Sequence, residues 1–447
     1  MTREQAIRVC REYLKESTAA GKEALSGKLR SYKGAIPPII DELRPGKATA
    51  PSAKGLTGKV SFETPGLAET YVDDHLYYHV PDGYDPGRRT GLIIYLHGGG
   101  PGTKRTYAGE TIDASMKYAN GIAFLLEETD YITVAPSAPW NETSCNRWAL
   151  PETEKYLAAV VTESMSRFAI DPDRVVLGGT SMGGMGGMAL IVRIPDRFAA
   201  VYAGSVSWEK AYWKAATGTP LFLIHGANDA IAPGHPKWSL RPKFTDVFFA
   251  READRLLTKY GVEHIYAEHD GGHPSGQAKP QIKRFLGWMQ KRTRDPYAAH
   301  VFAVSHGDAI VYQPHNRWVS VEQLDEGKLE YDGCVLKDMR GGWKQTLEQF
   351  NKAHVVARKS KHSAGYVEAR NLGGNRFSLE TRNVKTLSLW FHPRMADLNK
   401  PIQLTIDGKA QSIEVKPSLT DALRSFERRH DWGLIYHACA VVEIPAE

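Results

Sequence analysis

The sequence has few cysteines, no long hydrophobic run and little excess charge, and each shortage excludes a class of protein. Four cysteines in 447 residues, none of them in a CxxC pair, indicate neither a zinc site nor a disulfide framework. No stretch approaches the roughly 18 consecutive apolar residues that a membrane-spanning helix needs, which excludes a membrane span. The net charge of +6 is spread along the chain, and no nucleic-acid-binding module is recognisable, so we expect no nucleic-acid partner.

The first ten residues also lack the basic start and apolar stretch of a secretory signal. We therefore expect either a cytoplasmic protein or a secreted one whose signal has been removed. The compartment, the oligomeric state and any disulfide bonding of the cysteines stay open. Those cysteines are Cys10, Cys145, Cys334 and Cys439.

The composition is globular, with 42% hydrophobic and 24% charged residues, and the chain divides into three regions of different pattern. Residues 1–57 are predicted to form a helical leader, with a helix over 3–15, followed by a linker. Residues 58–294 alternate short apolar runs with amphipathic stretches, which predicts a mostly parallel sheet with helices on both faces. The predicted strands are 76–80, 92–96, 132–135, 175–177, 199–203, 221–224 and 262–267, and the predicted helices are 112–119, 153–168, 182–194, 244–260 and 280–291.

Residues 295–447 are β-rich and predict a separate sandwich-like domain with helices near 341–353 and 419–426. Residues 377–381 and 385–391 alternate apolar and polar side chains. Residues 402–406 run into Asp407 and Gly408 before a strand predicted at 412–416, and Asp-Gly is a strong hairpin signal because both residues tolerate positive φ.

The most informative motif is G-x-S-x-G at residues 179–183, where an apolar strand runs into a helix. Side chains at Gly179 and Gly183 would collide with neighbouring backbone at such a tight turn, so glycine is required there. The hydroxyl of Ser181 would then project above the sheet as a nucleophile.

A second motif, His97 followed by three glycines, ends the strand at 92–96 and matches an element that supplies backbone N–H groups to an oxyanion hole. We predict that the amide of Met182 and an amide of Gly99 or Gly100 form that hole. A tetrahedral intermediate needs both donors, because losing one typically costs about 10²–10³ in rate.

In this arrangement the acid and the base follow the serine in chain order. Asp229 follows the strand at 221–224, and His273 follows the next strand, so we assign them as orienting acid and general base. Asp196 and Asp270 are the weaker candidates for the acid. The competing histidines, which lie before the acid or within the last strand, are His225, His264 and His269.

Tryptophans follow several of these strands and could contact the substrate at the carboxyl edge of the sheet. Together they favour an aromatic or sugar-linked ester. The candidates are Trp140, Trp148, Trp208, Trp213 and Trp238.

The central region resembles the α/β-hydrolases, and within them the polyhydroxybutyrate depolymerase and feruloyl esterase-like branch. The matching segments are 96–100, 170–175, 179–184, 195–200, 225–229 and 271–273. The resemblance places Ser181, Asp229 and His273 at triad positions and implies an α/β-hydrolase fold and a serine-dependent carboxylic ester hydrolase. Pro274 departs from the small residue that relatives often carry after the histidine, which leaves the shape of that loop open.

The expected partner is a small-molecule or polymer-linked ester, hydrolysed through an acyl-enzyme without a metal or an organic cofactor. The branch spans aryl, acetyl and polyester substrates, so a polyester depolymerase stays open. A prolyl oligopeptidase-like serine peptidase would share the triad, but about 55 leader residues leave no room for the usual propeller. A third alternative is a scaffold whose β domain recognises a polysaccharide beside an inert core.

Overall fold

The computed structural model describes residues 1–45, 55–62, 75–99, 129–138, 147–150, 152–229, 245–273, 278–307, 314–337 and 354–444. The chain divides into two compact units. The α/β unit comprises Lys47–Arg294 and Leu329–His362, and the β-rich unit comprises Met1–Gly46, Asp295–Lys328 and Ser363–Glu447. The three predicted domains are consecutive stretches of chain whereas these units are not, so the boundaries at 57/58 and 294/295 stay a prediction.

The helices largely follow the amphipathic stretches of the sequence. They are α1 Arg3–Lys15, α2 Ala19–Leu29, α3 Pro37–Leu43, α4 Thr153–Arg167, α5 Met182–Arg193, α6 Val247–Tyr260, α7 Lys279–Met289 and α8 Leu419–Arg429. Helix α1 begins where predicted because Thr2 and Gln5 form a capping box that satisfies the first backbone N–H groups. The helices predicted at 112–119 and 341–353 lie outside the described residues. No helix within the described ranges is long and apolar enough to cross a membrane.

The strands of the first two thirds of the chain build the α/β unit. They are β1 Gly55–Ser61, β2 His75–Val80, β3 Thr90–Leu96, β4 Ile132–Pro136, β5 Ile170–Thr180, β6 Ala200–Gly204, β7 Lys210–Ala211, β8 Leu221–Gly226 and β9 His264–His269. Eight of them form one sheet in the order β1-β2-β4-β3-β5-β6-β8-β9. The β1/β2 and β2/β4 pairs are antiparallel and every other pair is parallel.

Helices cover both faces of this sheet. Ile93 and Tyr95 of β3 share a buried cluster with Phe285 of α7. Leu96 points to the opposite face, since side chains alternate along a strand, and there it lies against Gly183 and Gly186 of α5. The predicted α/β class is confirmed, and the carboxyl ends of the parallel strands meet at one edge, where such folds bind ligands.

Further strands lie in the C-terminal third of the chain: β10 His300–His306, β11 His315–Asn316, β12 Val319–Leu324, β13 Lys328–Lys337, β14 His354–Gly373, β15 Arg376–Arg382, β16 Val384–Phe391, β17 Ile402–Ile406, β18 Lys409–Ile413 and β19 Ala438–Glu443. In the β-rich unit, strands β10, β15, β17 and β18 and the part of β14 from residue 363 onward belong to one sheet, and β11, β12, β16 and β19 form another. One apolar core takes residues from both sheets, among them Val367 and Leu379 from the first and Val319 and Leu389 from the second. The predicted β-rich sandwich is therefore present.

Two details differ from the sequence-based expectation. The hairpin turn consists of Asp407 and Gly408 alone, with φ of 47° and 80°. Pairing therefore resumes at once, with Lys409 opposite Ile406, and β18 begins three residues before the predicted 412. In the α/β unit, β13 pairs with β7 through Asp332 and Ala211, so this stretch of the C-terminal third extends the α/β unit.

Candidate active site

Ser181 occupies the turn between β5, which ends at Thr180, and α5, which begins at Met182. Its backbone has φ 60° and ψ −121°, a conformation that non-glycine residues rarely adopt and that costs on the order of 1–3 kcal/mol. The Ser181 amide donates to the Gly204 carbonyl at 2.9 Å, and the Ser181 carbonyl accepts from the Met185 amide at 2.9 Å. These bonds hold the half-exposed serine at the carboxyl edge of the sheet as a nucleophile elbow.

The glycines around Ser181 allow this close approach of helix and sheet. A Cβ atom on Gly179 would lie 2.5 Å from the carbonyl carbon of Gly183. A Cβ atom on Gly183 would overlap the carbonyl oxygen of Leu96, and one on Gly184 would overlap that of Gly204. Glycine is required here for the reason that the sequence suggested, because backbone cannot move aside as a flexible side chain can.

The structure brings Ser181, Asp229 and His273 together at this edge. Asp229 follows β8 and His273 follows β9. Nε2 of His273 lies 3.0 Å from Oγ of Ser181, and Nδ1 of His273 lies 3.0 Å from Oδ2 of Asp229. This is the geometry in which an imidazole can take the serine proton while a carboxylate orients it.

The Asp229 carboxylate is 4% exposed and receives hydrogen bonds at both oxygens. The Thr245 hydroxyl donates to Oδ1 at 2.7 Å, while Nδ1 of His273 and Nε2 of His225 lie 3.0 Å and 3.2 Å from Oδ2. Burial raises the pKa of the Asp229 carboxyl, but the side-chain hydrogen bonds of His225 and His273 outweigh it and lower the pKa to about 2. Asp229 is therefore ionised at neutral pH.

Sequence reasoning missed the part that His225 and Thr245 play around the acid. From the sequence, His225 is only a competing candidate for the base. A histidine at the end of an apolar strand nevertheless indicates a buried polar group that needs hydrogen-bond partners. Thr245 is the first described residue after the stretch 230–244, and nothing in the sequence around it points to the acid.

The other candidate acids and bases have partners elsewhere. His264 lies 3.0 Å from a carboxylate oxygen of Asp254. His269 accepts from the Gly271 amide at 3.1 Å, and burial lowers its pKa. Asp196 is 1% exposed and lies in the turn Pro195–Arg197 after α5, as the sequence suggested.

The predicted oxyanion donors Met182 and Gly99 flank the serine. Met182 is the first residue of α5, where backbone N–H groups are free of helical partners. Gly99 is exposed and has φ 130°, a value that favours glycine. A Cβ atom on the preceding Gly98 would lie 3.6 Å from Cβ of Ser181, so this loop passes beside the nucleophile. Gly100 lies outside the described residues.

His97, which is 2% exposed, holds that loop in place through hydrogen bonds of its ring and its carbonyl. The Ala138 amide donates to Nε2 of His97 at 2.9 Å, so the proton resides on Nδ1, which donates to the Gly98 carbonyl at 2.7 Å. The Trp148 indole N–H donates to the His97 carbonyl at 3.1 Å. The first residue of the histidine-glycine motif thus has a structural role that the sequence did not reveal.

The tryptophans predicted to contact substrate are buried where the structure describes them. Trp148 has no exposed surface and stacks edge-on against His97. The indole of Trp208 donates to the Phe249 carbonyl at 2.8 Å, and its ring packs at 5.0 Å on Trp213, which is 1% exposed. These contacts indicate packing roles, and contact with substrate stays untested for all five. Trp140 and Trp238 lie outside the described residues.

Comparison with known proteins adds a family. Residues 70–275 match the model of the Esterase family, whose description reads "Putative esterase". The matching segment contains Ser181, Asp229 and His273, and the predicted resemblance to esterases is confirmed. No curated protein matches the chain significantly.

Solved structures with a similar fold include three esterases, each under 25% identical to this chain. A thermostable esterase is 19% identical to this chain, with a TM-score of 0.39. The similarity covers 53% of this chain and 63%, less than two thirds, of the esterase chain. A ferulic acid esterase from Anaeromyces mucronatus is 16% identical, with a TM-score of 0.37, and the similarity covers 55% of this chain and 94% of that one. A poly(3-hydroxybutyrate) depolymerase from Bordetella parapertussis is 20% identical, with a TM-score of 0.36, and the similarity covers 49% of this chain and 85% of that one.

Proposed function

We propose that this protein is a serine-dependent carboxylic ester hydrolase that acts through an acyl-enzyme. The observation that carries the proposal is the continuous hydrogen-bonded chain from Ser181 through His273 to Asp229, with both links at 3.0 Å. The match of residues 70–275 to the Esterase family model supports it.

In the first half of the reaction, Nε2 of His273 takes the hydroxyl proton as Oγ of Ser181 attacks the ester carbonyl carbon. Asp229, ionised because its pKa is lowered to about 2, stabilises the imidazolium that forms. The imidazolium then gives its proton to the leaving alcohol oxygen, the ester C–O bond breaks, and the acyl group remains on Ser181.

In the second half, His273 takes a proton from water as the water oxygen attacks the acyl carbon. The C–O bond to Ser181 breaks, the proton returns to Oγ, and a carboxylic acid leaves. In both halves the negative oxygen of the tetrahedral intermediate would be held by the Met182 amide and by an amide of Gly99 or Gly100.

For the substrate, we propose first an aromatic, feruloyl-type or carbohydrate-linked ester. What supports this is the position of Trp140 and Trp238 in the sequence, in the stretches that follow β4 and Asp229. A peptide amide and a polyester are the alternatives to be measured beside it.

The test is covalent labelling by a fluorophosphonate combined with hydrolysis of p-nitrophenyl acetate, a feruloyl ester, a soluble polyester oligomer and a proline amide. We expect Ser181→Ala to abolish both labelling and ester hydrolysis while leaving the thermal midpoint nearly unchanged. Ser166→Ala, which alters an exposed serine on α4, is the matched control and should behave as wild type. Label that persists in Ser181→Ala would contradict the proposal, and preferential cleavage of the amide would make the protein a peptidase.

A further inference from the structure

A second histidine, His225, lies against the Asp229 carboxylate and takes no part in the proton transfers described above. It is the fifth residue of β8, has no exposed surface, and places Nε2 3.2 Å from Oδ2 of Asp229. A buried polar ring in an apolar strand is costly unless its nitrogens are satisfied, so its partners reveal what it does.

The hydrogen bonds determine which nitrogen of His225 carries the proton. The Val206 amide donates to Nδ1 at 3.2 Å, so Nδ1 presents a lone pair. The proton of the neutral ring is therefore on Nε2, which faces the Thr245 carbonyl at 2.8 Å and Oδ2 of Asp229 at 3.2 Å. In this tautomer the single Nε2–H donates to the Thr245 carbonyl and also faces Oδ2 of Asp229, and Nε2 cannot accept a proton from the acid.

Thr245 also links His225 to Asp229 through two hydrogen bonds. The carbonyl of Thr245 accepts from His225, while its hydroxyl donates to Oδ1 of Asp229 at 2.7 Å. Asp229 and Thr245 border the stretch 230–244 in the sequence, so His225 links the residues on either side of that stretch. With Thr245 on Oδ1 and His225 on Oδ2, rotation of the carboxylate is restrained at both oxygens.

We propose that His225 is a positioning residue of the triad, which as a neutral ring holds the Asp229 carboxylate, directly and through Thr245, with Oδ2 facing His273. The inference rests on the proposed function, because positioning matters only if the triad hydrolyses an ester. A neutral donor suits this place, since a cation there would weaken the field that Asp229 exerts on the imidazolium of His273.

A purely structural histidine would satisfy the Val206 amide and the Thr245 carbonyl and influence only folding. The two roles differ in kinetics. Loss of positioning lowers kcat in correctly folded protein, whereas loss of a structural bond lowers the folded fraction and leaves the turnover of folded molecules unchanged.

The experiment compares three substitutions of His225, each measured on folded protein with p-nitrophenyl acetate. His225→Phe keeps a ring without a donor, His225→Asn places an amide too short to reach Asp229, and His225→Gln can present an N–H near the place of Nε2. We expect kcat to fall about 10- to 100-fold in the Phe and Asn variants, the factor associated with one hydrogen bond to a charged group, with KM little changed. The Gln variant should recover most of this loss.

The matched control is His264→Phe, which removes another histidine bonded to a carboxylate in the same sheet. His264 lies opposite Leu221 at the far end of β8, whereas His225 lies opposite Glu268. Turnover of His264→Phe should equal that of wild type. The downfield proton resonance of the bond between His273 and Asp229 should shift in His225→Phe and stay in place in the control.

Unchanged kcat in folded His225→Phe, or equal kcat in the Asn and Gln variants, would overturn the inference; if the Phe variant does not fold, the Asn and Gln comparison decides. Ser181→Ala measured in parallel separates this from a failure of the proposed function. If hydrolysis persists in Ser181→Ala, the proposed function is wrong, and if it disappears while His225→Asn stays fully active, only the positioning role is wrong.

Discussion

Replacing Asp229 with asparagine tests the electrostatic centre of the proposed mechanism with almost no change of shape. In the structure three donors converge on this carboxylate, namely the Thr245 hydroxyl and the side chains of His225 and His273. An asparagine amide keeps one acceptor oxygen and turns the other position into a donor. At least one of the three donors must then meet an N–H group.

The consequence for His273 follows from its tautomer. If the amide N–H₂ group faces Nδ1, that nitrogen must become the acceptor and the proton moves to Nε2. Nε2 can then no longer take the Ser181 proton, and even in the other amide orientation the negative charge that stabilises the imidazolium is lost. We expect kcat to fall by about 10⁴, the loss seen in triads whose acid becomes an amide.

The stability change can be estimated from the same environment. Because the pKa of Asp229 is lowered from 3.8 to about 2, ionisation stabilises the fold by about 2 kcal/mol at neutral pH. This contribution is fully present at pH values above the pKa of the carboxyl in the unfolded chain, and it is lost as pH falls from about 4 to about 2. Asp229→Asn should therefore fold at pH 7 with a somewhat lower thermal midpoint.

The assay is the kcat of p-nitrophenyl acetate hydrolysis at pH 7, with folding checked by circular dichroism. Asp254→Asn is the matched control, because Asp254 also bonds a histidine, His264, at 3.0 Å, and it should retain wild-type turnover. Full activity in Asp229→Asn would refute the reasoning. Loss of activity in Asp270→Asn instead would move the acid to that residue.

Two further predictions concern packing and pH. Gly183→Ala should lower the free energy of unfolding by about 1–3 kcal/mol or more, because its Cβ overlaps the Leu96 carbonyl oxygen. Gly187→Ala, whose nearest neighbours lie 3.4 Å away, is the control in thermal unfolding, and equal midpoints would contradict the packing argument. Burial lowers the pKa of His437 from 6.5 to about 4, so the unfolded chain binds a proton before the fold does and stability is lost as pH falls between these values. Between pH 6.5 and pH 5 the free energy of unfolding falls by about 2 kcal/mol because of His437. His392, whose pKa is lowered to about 3, contributes a loss of the same sign. His437→Gln should therefore show a smaller drop in thermal midpoint from pH 7 to pH 5 than wild type, and an equal drop would contradict the assignment.

The periodicity of the sequence predicted most of the described elements because their local signals agree with their tertiary environment. Helix α1 matches its predicted span of 3–15, and the helix over Thr153–Arg167 ends one residue before the predicted 168. The turn at Asp407 and Gly408 was predictable because positive φ is a local property of those residues. The start of β18 was not, since the register of pairing depends on the partner strand.

The candidate site was predictable where a residue's role follows from chain order and from its place at a strand end. Ser181, Asp229 and His273 each follow a strand, and parallel strands bring such positions to one edge. The tryptophan interpretation stays a prediction: Trp148 and Trp213 are buried, and their contact with substrate is untested. An aromatic side chain in a loop gives the same sequence signal whether it faces solvent or a neighbouring helix.

The sequence by itself determined the α/β pattern, the glycines of the serine turn and the placement of Ser181, Asp229 and His273 after successive strands, because these are set by local backbone constraints and strand order. Only the tertiary structure decided that His225 and Thr245 contact the Asp229 carboxylate and that His97 bonds the loop beside Ser181. The bonds of Thr245 and the bond between His97 and Ala138 join residues 16 to 41 positions apart, and their hydrogen-bonding groups meet only once the strands have paired. It also decided that β13 joins the α/β unit through β7, a pairing between distant segments that no local pattern encodes.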